Sequence, residues 1–530
     1  MTADPPAPRR LGELIARLTA EGRLHGTRLD GRPAGSAALA DITVSSVTHD
    51  SRTVADGALF VAVPGEHADG HDFADAAVRR GATALIVERP LPDVTAAQLV
   101  VDAARPALAS AAAWWYGDPS HELTVVGITG TDGKTTTAYL AVAALEAAGS
   151  RAGMIGTIAT RIGGRTEDHH AHATTPEAPE LQAALRAMVD AGDDVAVIET
   201  TSHGLALDRV ASVAYDVAIL TNLTHEHLEL HGTWEAYRDA KLSLFDRLRA
   251  ARLVTKPRPV AAAAIVNIDD PSAGAFIGTA RDAGARVVTY GTETAADIRA
   301  IRITGDAGRL HADIEGPAGA AALELRLAGR FNIHNALAVV ALGEVLGLDP
   351  DAVRDGLASL EGVPGRMERI EAGQPFGVVV DFAHSPASLQ TVLDLLAPAA
   401  AARGGGLIVV FGSAGERDTA KRPQMGRIAG ERARLVIVTD EDPRGEDREA
   451  ILDEIARGAE TAGRRRGQDL QLIADRRTAI ATAFEAARPG DIVLLAGKGH
   501  EQSIIGSHGE EPWDERTTAR ELLAELGYRA

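Results

Sequence analysis

The stretch Gly127-Ile128-Thr129-Gly130-Thr131-Asp132-Gly133-Lys134-Thr135-Thr136-Thr137 constrains this chain more than any other. It follows the apolar run 123–126 and precedes the Ala/Leu-rich run 138–148, so it reads as strand, glycine turn and helix start. Glycines let the backbone curl until several N–H groups point inward, and the helix N-terminus adds the positive end of its dipole. In such a cradle Lys134 reaches the outer phosphates of a nucleotide and Thr135 can ligate Mg²⁺. Strict Walker spacing asks for glycine where Ile128 stands, so this loop is one residue longer than that pattern. The competing reading, a glycine turn ahead of a helix with no nucleotide, is disfavoured by the Gly-Lys-Thr core and its setting.

At 530 residues the chain is long enough for two to four domains, and 45% hydrophobic against 24% charged residues make it globular. The balance of 54 basic and 74 acidic residues gives a net charge of -20, which disfavours non-specific binding to nucleic acid or an anionic membrane. An anionic ligand must therefore be held by local basic groups. The absence of cysteine excludes disulfides and thiolate metal sites. The segment 1–10 lacks an apolar core of signal-peptide length, and no run approaches the roughly 18 apolar residues of a membrane span. A soluble, cytoplasmic protein is expected.

Segment 11–22 reads as a short amphipathic helix, 42–47 and 59–63 as strands, 71–80 as a helix, 84–87 as a strand and 104–115 as a helix. The intervening Asp50-Ser51-Arg52 and 65–70 read as ordinary turns, and 117–122 as a linker. From 123 a strong βαβ rhythm indicates a mostly parallel sheet covered by helices. Strand 195–198 runs into Glu199 and strand 217–220 into a polar cluster with His225, His227 and His231, both at the strand ends where open α/β sheets bind ligands. Glu199 is the counterpart of a Walker B acid. The three histidines suit zinc, but neighbouring hard carboxylates and the phosphate loop favour magnesium. Lys241, on a helix starting near Thr233, reads by default as a solvated charge, and Asn332 and Asn335 as helix caps.

After a connector and hinge at 347–365 the rhythm starts afresh. Strands 378–380, 407–411, 435–438 and 492–495 each deliver a polar loop, the layout of a second doubly wound domain with its own ligand crevice.

These elements in this order resemble the Mur ligases of cell-wall precursor synthesis, over roughly residues 40–505. The resemblance rests on the glycine loop, the Glu199 segment, Thr221-Asn222 with His227 and His231-Gly232, and Lys241. It rests also on Phe331-Asn332, Gly365-Arg366-Met367-Glu368, Asp381 with His384-Ser385-Pro386, and Gly497-Lys498-Gly499-His500-Glu501. It implies an α/β chain of three domains: a UDP-sugar-binding domain at 1–120, a central P-loop ATPase domain at 121–360 and a Rossmann-like amino-acid-binding domain at 361–530. It places ATP on Gly130, Thr131, Asp132, Gly133, Lys134, Thr135, Thr136, Asn332, Arg366 and Asp381, with Asp381 on the ribose. It places Mg²⁺ on Thr135, Glu199, His227 and Lys241, the lysine carried as a carbamate; Lys134, Glu199, His227 and Lys241 would be the catalytic set. Ser51, Glu66, His67, Ala68, Thr174, Thr175, Thr201 and Arg209 match positions that hold a UDP-muramoyl dipeptide. Arg417, Asp442, Pro443, Arg444, Gly497 and Glu501 match the pocket for an incoming amino acid.

The implied activity is ATP-dependent addition of the third amino acid to the precursor peptide through an acyl phosphate, by a monomer. Asp132 replaces the usual asparagine of the loop, Thr224-His225-Glu226 a common Ser-Arg-Asp, and Ala173 and Leu207 stand at positions typically polar. Asp442 stands where members that add diaminopimelate carry asparagine. Arg444 offers a fork suited to the distal carboxylate of diaminopimelate and repels the bare ammonium of lysine or ornithine, while Asp442 and Glu501 suit an ammonium. Diaminopimelate is therefore the expected substrate, with lysine or ornithine, a folylpolyglutamate-synthase-like ligation and a P-loop switch without ligase activity as competing readings.

Overall fold

The computed structural model describes residues 6–65, 68–168, 173–224, 231–293, 296–305 and 308–529. The chain divides into two compact units. One holds the chain up to Lys134 with the segments that follow Ala148 and Thr233 as far as Thr289; the other holds Thr135–Ala147 and the chain from Tyr290 onward.

The first unit opens with α1 (Leu11–Ala20), whose Leu11, Leu14, Ile15 and Leu18 recur at helical spacing and are all buried. Strands β1 (Leu24–Leu29), β2 (Ser46–Thr48), β3 (Ala58–Val61), β4 (Ala84–Val87) and β5 (Ala97–Val101) form a sheet in the order β1-β5-β4-β3-β2. The last four run parallel and β1 runs antiparallel to β5. The buried, alanine-rich α2 (Ala104–Trp115) packs into the same core.

A second sheet follows, built from β6 (Thr124–Thr129), β7 (Ala152–Ile155), β8 (Ala159–Ile162), β9 (Arg165–Asp168), β10 (Val195–Glu199), β11 (Val217–Leu220) and β12 (Ala263–Asn267). Within this unit they stand in the order β9-β8-β7-β10-β6-β11-β12. The five from β7 to β12 are parallel. Helix α3 (Lys134–Ala147) follows β6 in sequence, and α4 (Ala178–Ala191), α5 (Ser202–Ala206) and α6 (Trp234–Asp246) complete the crossovers. Strand β6 is central, so the loop that leaves it emerges at the middle of the carboxyl edge.

In the second unit, β13 (Ile298–Gly305), β14 (Leu310–Gly316) and β15 (Gly319–Leu325) make an antiparallel meander ahead of α7 (Phe331–Leu346) and α8 (Pro350–Ser359). A parallel sheet then stands in the order β16 (Gly377–Asp381), β20 (Ile492–Ala496), β17 (Leu407–Phe411), β18 (Leu435–Val438), β19 (Leu470–Leu472). Alternate strand residues feed two separate cores, Val409, Phe411 and Val436 one, Ile408, Val410 and Ile437 the other, so both faces are covered.

Four sequence readings change. Segment 117–122 is an ordered turn rather than a loose polar stretch: Asp118 takes a left-handed φ of 52° and pairs with Arg17, and Ser120 is buried with its hydroxyl accepting from Ala214 N–H. Segment 71–80 splits into a 3-10 turn, Gly70–Phe73, and a short helix, Ala74–Arg79. Strands β1 and β5 were not expected. β1 carries polar residues on an irregular burial pattern, and β5 buries Gln98, whose amide is satisfied by the backbone of Leu91 and Val94. Asn332 and Asn335 do not cap α7, whose N-cap is Arg330; both lie inside its first turns.

Candidate functional site

The glycine loop is tied down by the loop that leaves β11. Thr131 N–H donates to Asn222 O at 2.8 Å, and Asp132 N–H to Asn222 Oδ1 at 2.9 Å. Thr221 Oγ1 donates to Asp132 O at 2.7 Å. Gly130 has φ 149° and a Cβ there would lie 1.9 Å from Thr221 Oγ1, so the turn requires glycine. Gly127 serves packing instead, since a Cβ would meet the Tyr215 ring at 2.7 Å. Asp132 is exposed, and its backbone makes the loop contacts.

Lys134 Nζ donates to Gly130 O at 2.9 Å and Thr131 O at 2.7 Å. Lys241 overturns the solvated-charge reading. It is 2% exposed, lies 4.6 Å over the Tyr237 ring and donates to the same Gly130 O at 2.8 Å. Tyr237 is 3.0 Å from Thr131 Oγ1, so α6 is bonded to the phosphate loop at two points. The α6 start is fixed by Thr233, whose side chain accepts from Ala236 N–H.

Glu199 ends β10 beside β6, paired with Ile128, and is wholly buried. Its carboxylate accepts from Thr157 N–H at 3.0 Å and Thr157 Oγ1 at 2.9 Å. Thr175 Oγ1 donates to Glu199 O at 2.8 Å and accepts from Thr201 N–H at 3.0 Å, and Arg209 donates to Thr175 O at 2.8 Å and pairs with Glu177. The structure thus brings Thr174, Thr175, Thr201, Arg209 and Glu199 together. His225 and His227 lie outside the described residues, as do Glu66 and His67. Among the described residues no cluster of three or more His, Asp or Glu could hold a metal. The hard oxygen of Glu199, beside the phosphate loop, fits Mg²⁺ in its donor chemistry. Ser51 is presented by a turn in which Asp50 accepts from Arg52 N–H and Nε; the Arg52 side chain holds the Asp50 carboxyl down at about 2.

In the second unit, three loops meet at the carboxyl edge of the parallel sheet. Gly415 N–H donates to Asp442 O at 2.8 Å, and a Cβ on Gly415 would lie 2.1 Å from Pro443 O, so only glycine lets these loops close. Arg444 takes a left-handed φ of 53°, bonds Ile505 O through its N–H, and keeps Nε buried without a hydrogen-bond partner. Asp442 and Glu501 share a cation through one carboxylate oxygen each. Both pair with the buried Lys498, at 2.8 and 2.6 Å. Lys498, quoted only as part of a motif, is thus the residue that sequence reasoning underrated. Arg417 is exposed.

Asp381 accepts from Met367 N–H at 2.7 Å and Ala383 N–H at 2.8 Å, which fixes the 365–367 turn. Arg366 lies 4.5 Å over the Phe382 ring. Asn332 spends its amide on Ala328 O and Asn335. His500, 4.9 Å from Phe382, has its pKa pushed down to about 2 by burial and then by Arg366 and other cations. The unfolded chain therefore binds a proton below about pH 6.5 that the folded chain refuses, and the unfolding free energy should fall as pH drops below that value. Urea melts at a series of pH values should show this slope, and a flatter one for His500→Gln.

Three family models cover most of the chain: "Mur ligase family, catalytic domain" at 43–116, "Mur ligase middle domain" at 128–343 and "Mur ligase, glutamate ligase domain" at 365–499. The UDP-N-acetylmuramyl-tripeptide synthetase of Roseiflexus sp. (strain RS-1) is 48% identical over 92% of this chain and 95% of its own length. The UDP-N-acetylmuramoyl-L-alanyl-D-glutamate--2,6-diaminopimelate ligase of Geobacter metallireducens is 43% identical over 90% and 93%. A solved structure of a ligase of that second name matches at 30% identity and a TM-score of 0.62, over 92% of this chain and 96% of its own. With the phosphate loop, Glu199 and the polar loops of the second unit each at strand ends, the chain belongs to the Mur ligase family of ATP-dependent, ADP-forming ligases, with that family's three-domain α/β architecture.

Proposed function

We propose that this ligase adds meso-diaminopimelate as the third amino acid to UDP-N-acetylmuramoyl-L-Ala-D-Glu, in the cytoplasm, with domains bounded near residues 120 and 360. ATP phosphorylates the exposed glutamate carboxylate to an acyl phosphate, the amine of the incoming amino acid attacks, and phosphate leaves. Lys134 and the loop N–H groups neutralise the transferred phosphoryl group, and catalysis is mainly positioning of three ligands. Magnesium, held by Thr135, Glu199 and the carbamate of Lys241, would supply further charge neutralisation; His227 is assigned to it by resemblance alone. Lys134 and Lys241 both donate to Gly130 O, and as two ammonium groups they repel; with Lys241 as a carbamate the same pair attracts.

The observation that carries the substrate reading is Arg444, left-handed and with a buried Nε lacking a partner, on the loop of Asp442, which shares the one ammonium of Lys498 with Glu501. Arg444 so placed favours a substrate whose distal end brings a carboxylate, while Asp442 and Glu501, sharing one ammonium, keep a net negative charge that suits the substrate's ammonium. Names of the relatives at 43% and 48% identity support the same reaction class. The match of a family model to 43–116 argues against a folylpolyglutamate-synthase-like reading, which has no place for that segment.

The test is ADP release with meso-diaminopimelate, lysine and ornithine, each with and without the dipeptide. Release that never depends on the dipeptide refutes the reaction. Arg444→Ala is expected to raise KM for meso-diaminopimelate about tenfold to hundredfold, the worth of a lost charged hydrogen bond, with KM for ATP unchanged. An unchanged KM for the amino acid removes the distal-carboxylate reading.

A further inference from the structure

Glu199 is wholly buried at the end of β10, and its carboxylate oxygens accept one each from Thr157 N–H at 3.0 Å and Thr157 Oγ1 at 2.9 Å. Gly156, just before Thr157, leaves room for the carboxylate as it lies, since a Cβ there would come 2.4 Å from Glu199 Oε1. The turn after β7 thus lies against the carboxylate and bonds both of its oxygens. The Thr157 hydroxyl is also 3.1 Å from Thr174 Oγ1, while neighbouring Thr175 donates to Glu199 O and joins Thr201 at 3.0 Å between hydroxyls. Thr201 Oγ1 in turn accepts from Gly204 N–H and caps α5. Segment 174–175, assigned above to the muramoyl dipeptide, is thus bonded to the side chain of Glu199 through Thr157 and to its main chain through Thr175.

We infer that Thr157 is a positioning residue, which orients the cation-side carboxylate of Glu199 and couples it to the threonines of the dipeptide segment. The inference rests on the reading of Glu199 as a Mg²⁺ ligand. A carboxylate swung by one rotamer loses its place beside the phosphates, and a backbone N–H alone fixes one oxygen only. The hydroxyl fixes the second.

Thr157→Val keeps the shape and the N–H and removes the hydroxyl; Thr157→Ser keeps the hydroxyl. Calorimetric titration of ADP at a series of Mg²⁺ concentrations is expected to show the Mg²⁺ requirement of Thr157→Val raised about tenfold, the lower end of what a hydrogen bond to a charged group is worth, and restored within about twofold in Thr157→Ser. Steady-state assays should show kcat lowered and KM for the amino acid unchanged. A Thr157→Val protein with wild-type Mg²⁺ dependence overturns the inference, as does a Thr157→Ser protein equally impaired and equally destabilised in thermal unfolding, which marks a purely structural role. The calorimetry decides this whether or not the wild type ligates the dipeptide; the wild-type ligation assay alone decides the proposed function.

Discussion

Replacing Lys241 by alanine is expected to lower kcat by about a thousandfold, the scale lost when a preorganised electrostatic contact to a transferring group is removed. The fold should survive. Lys241 shares the buried side of α6 with Tyr237, Leu244 and Phe245, and its Nζ reaches Gly130 O across the phosphate loop. Truncation leaves that carbonyl with Lys134 still donating to it, so the cost in stability should be about 1–2 kcal/mol, one hydrogen bond and some packing. A nucleotide-dependent switch without ligase chemistry would tolerate the change, which makes turnover with an intact melting transition the discriminating pair of measurements. Protein equilibrated with ¹³C-labelled bicarbonate should in addition show a carbamate resonance that Lys241→Ala abolishes. Wild-type turnover in the alanine variant would remove Lys241 from the catalytic set, and an absent resonance would remove the carbamate.

Lys241 also marks the boundary of what the sequence could say. A single lysine on an amphipathic helix carries no local sign of burial; only the packing of α6 against the loop from β6 makes it interior. The phosphate loop was readable because glycine positions, the lysine and the flanking strand and helix are contiguous, and its extra residue agreed with the family form. The parallel strands were readable from continuous apolar runs, as β10, β11, β17 and β18 show. What stayed hidden were contacts between distant segments. Thr157 and Glu199 are far apart in sequence and meet only because β7 and β10 are neighbours. Lys498 meets Asp442 because β20 and β18 flank β17. At Asp442, where the family resemblance leads one to expect asparagine, the extra negative charge is drawn toward the same buried ammonium that pairs with Glu501. β1 was missed because a polar strand at the side of a sheet has neither alternation nor a continuous apolar run.

The second large effect concerns stability. Asp216 and Lys256 form a buried pair at 2.5 Å, each side chain 3% exposed, in the unit that carries the phosphate loop. Lys256 Nζ also donates to Leu123 O and Ala214 O, and Asp216 accepts from Val125 N–H at 2.7 Å. The pair therefore stitches together the amino ends of β6 and β11 and the segment before β12. Lys256→Ala alone should destabilise the chain by about 3–5 kcal/mol, because it strands a carboxylate in the core, and Asp216→Ala should do the same with an ammonium. Burial pushes the Asp216 carboxyl up and the Lys256 ammonium down, so both shifts oppose ionisation in the folded chain. The ionised pair is thus costlier to hold in the core than in water, and its loss as a pair should cost far less than the loss of either member. Asp216→Leu with Lys256→Met should recover most of the single-variant loss, with urea denaturation of this double variant and of Asp216→Leu and Lys256→Met singly giving the coupling energy. Additive losses in the double variant would show that the pair is not coupled, and that each group is held instead by its backbone contacts.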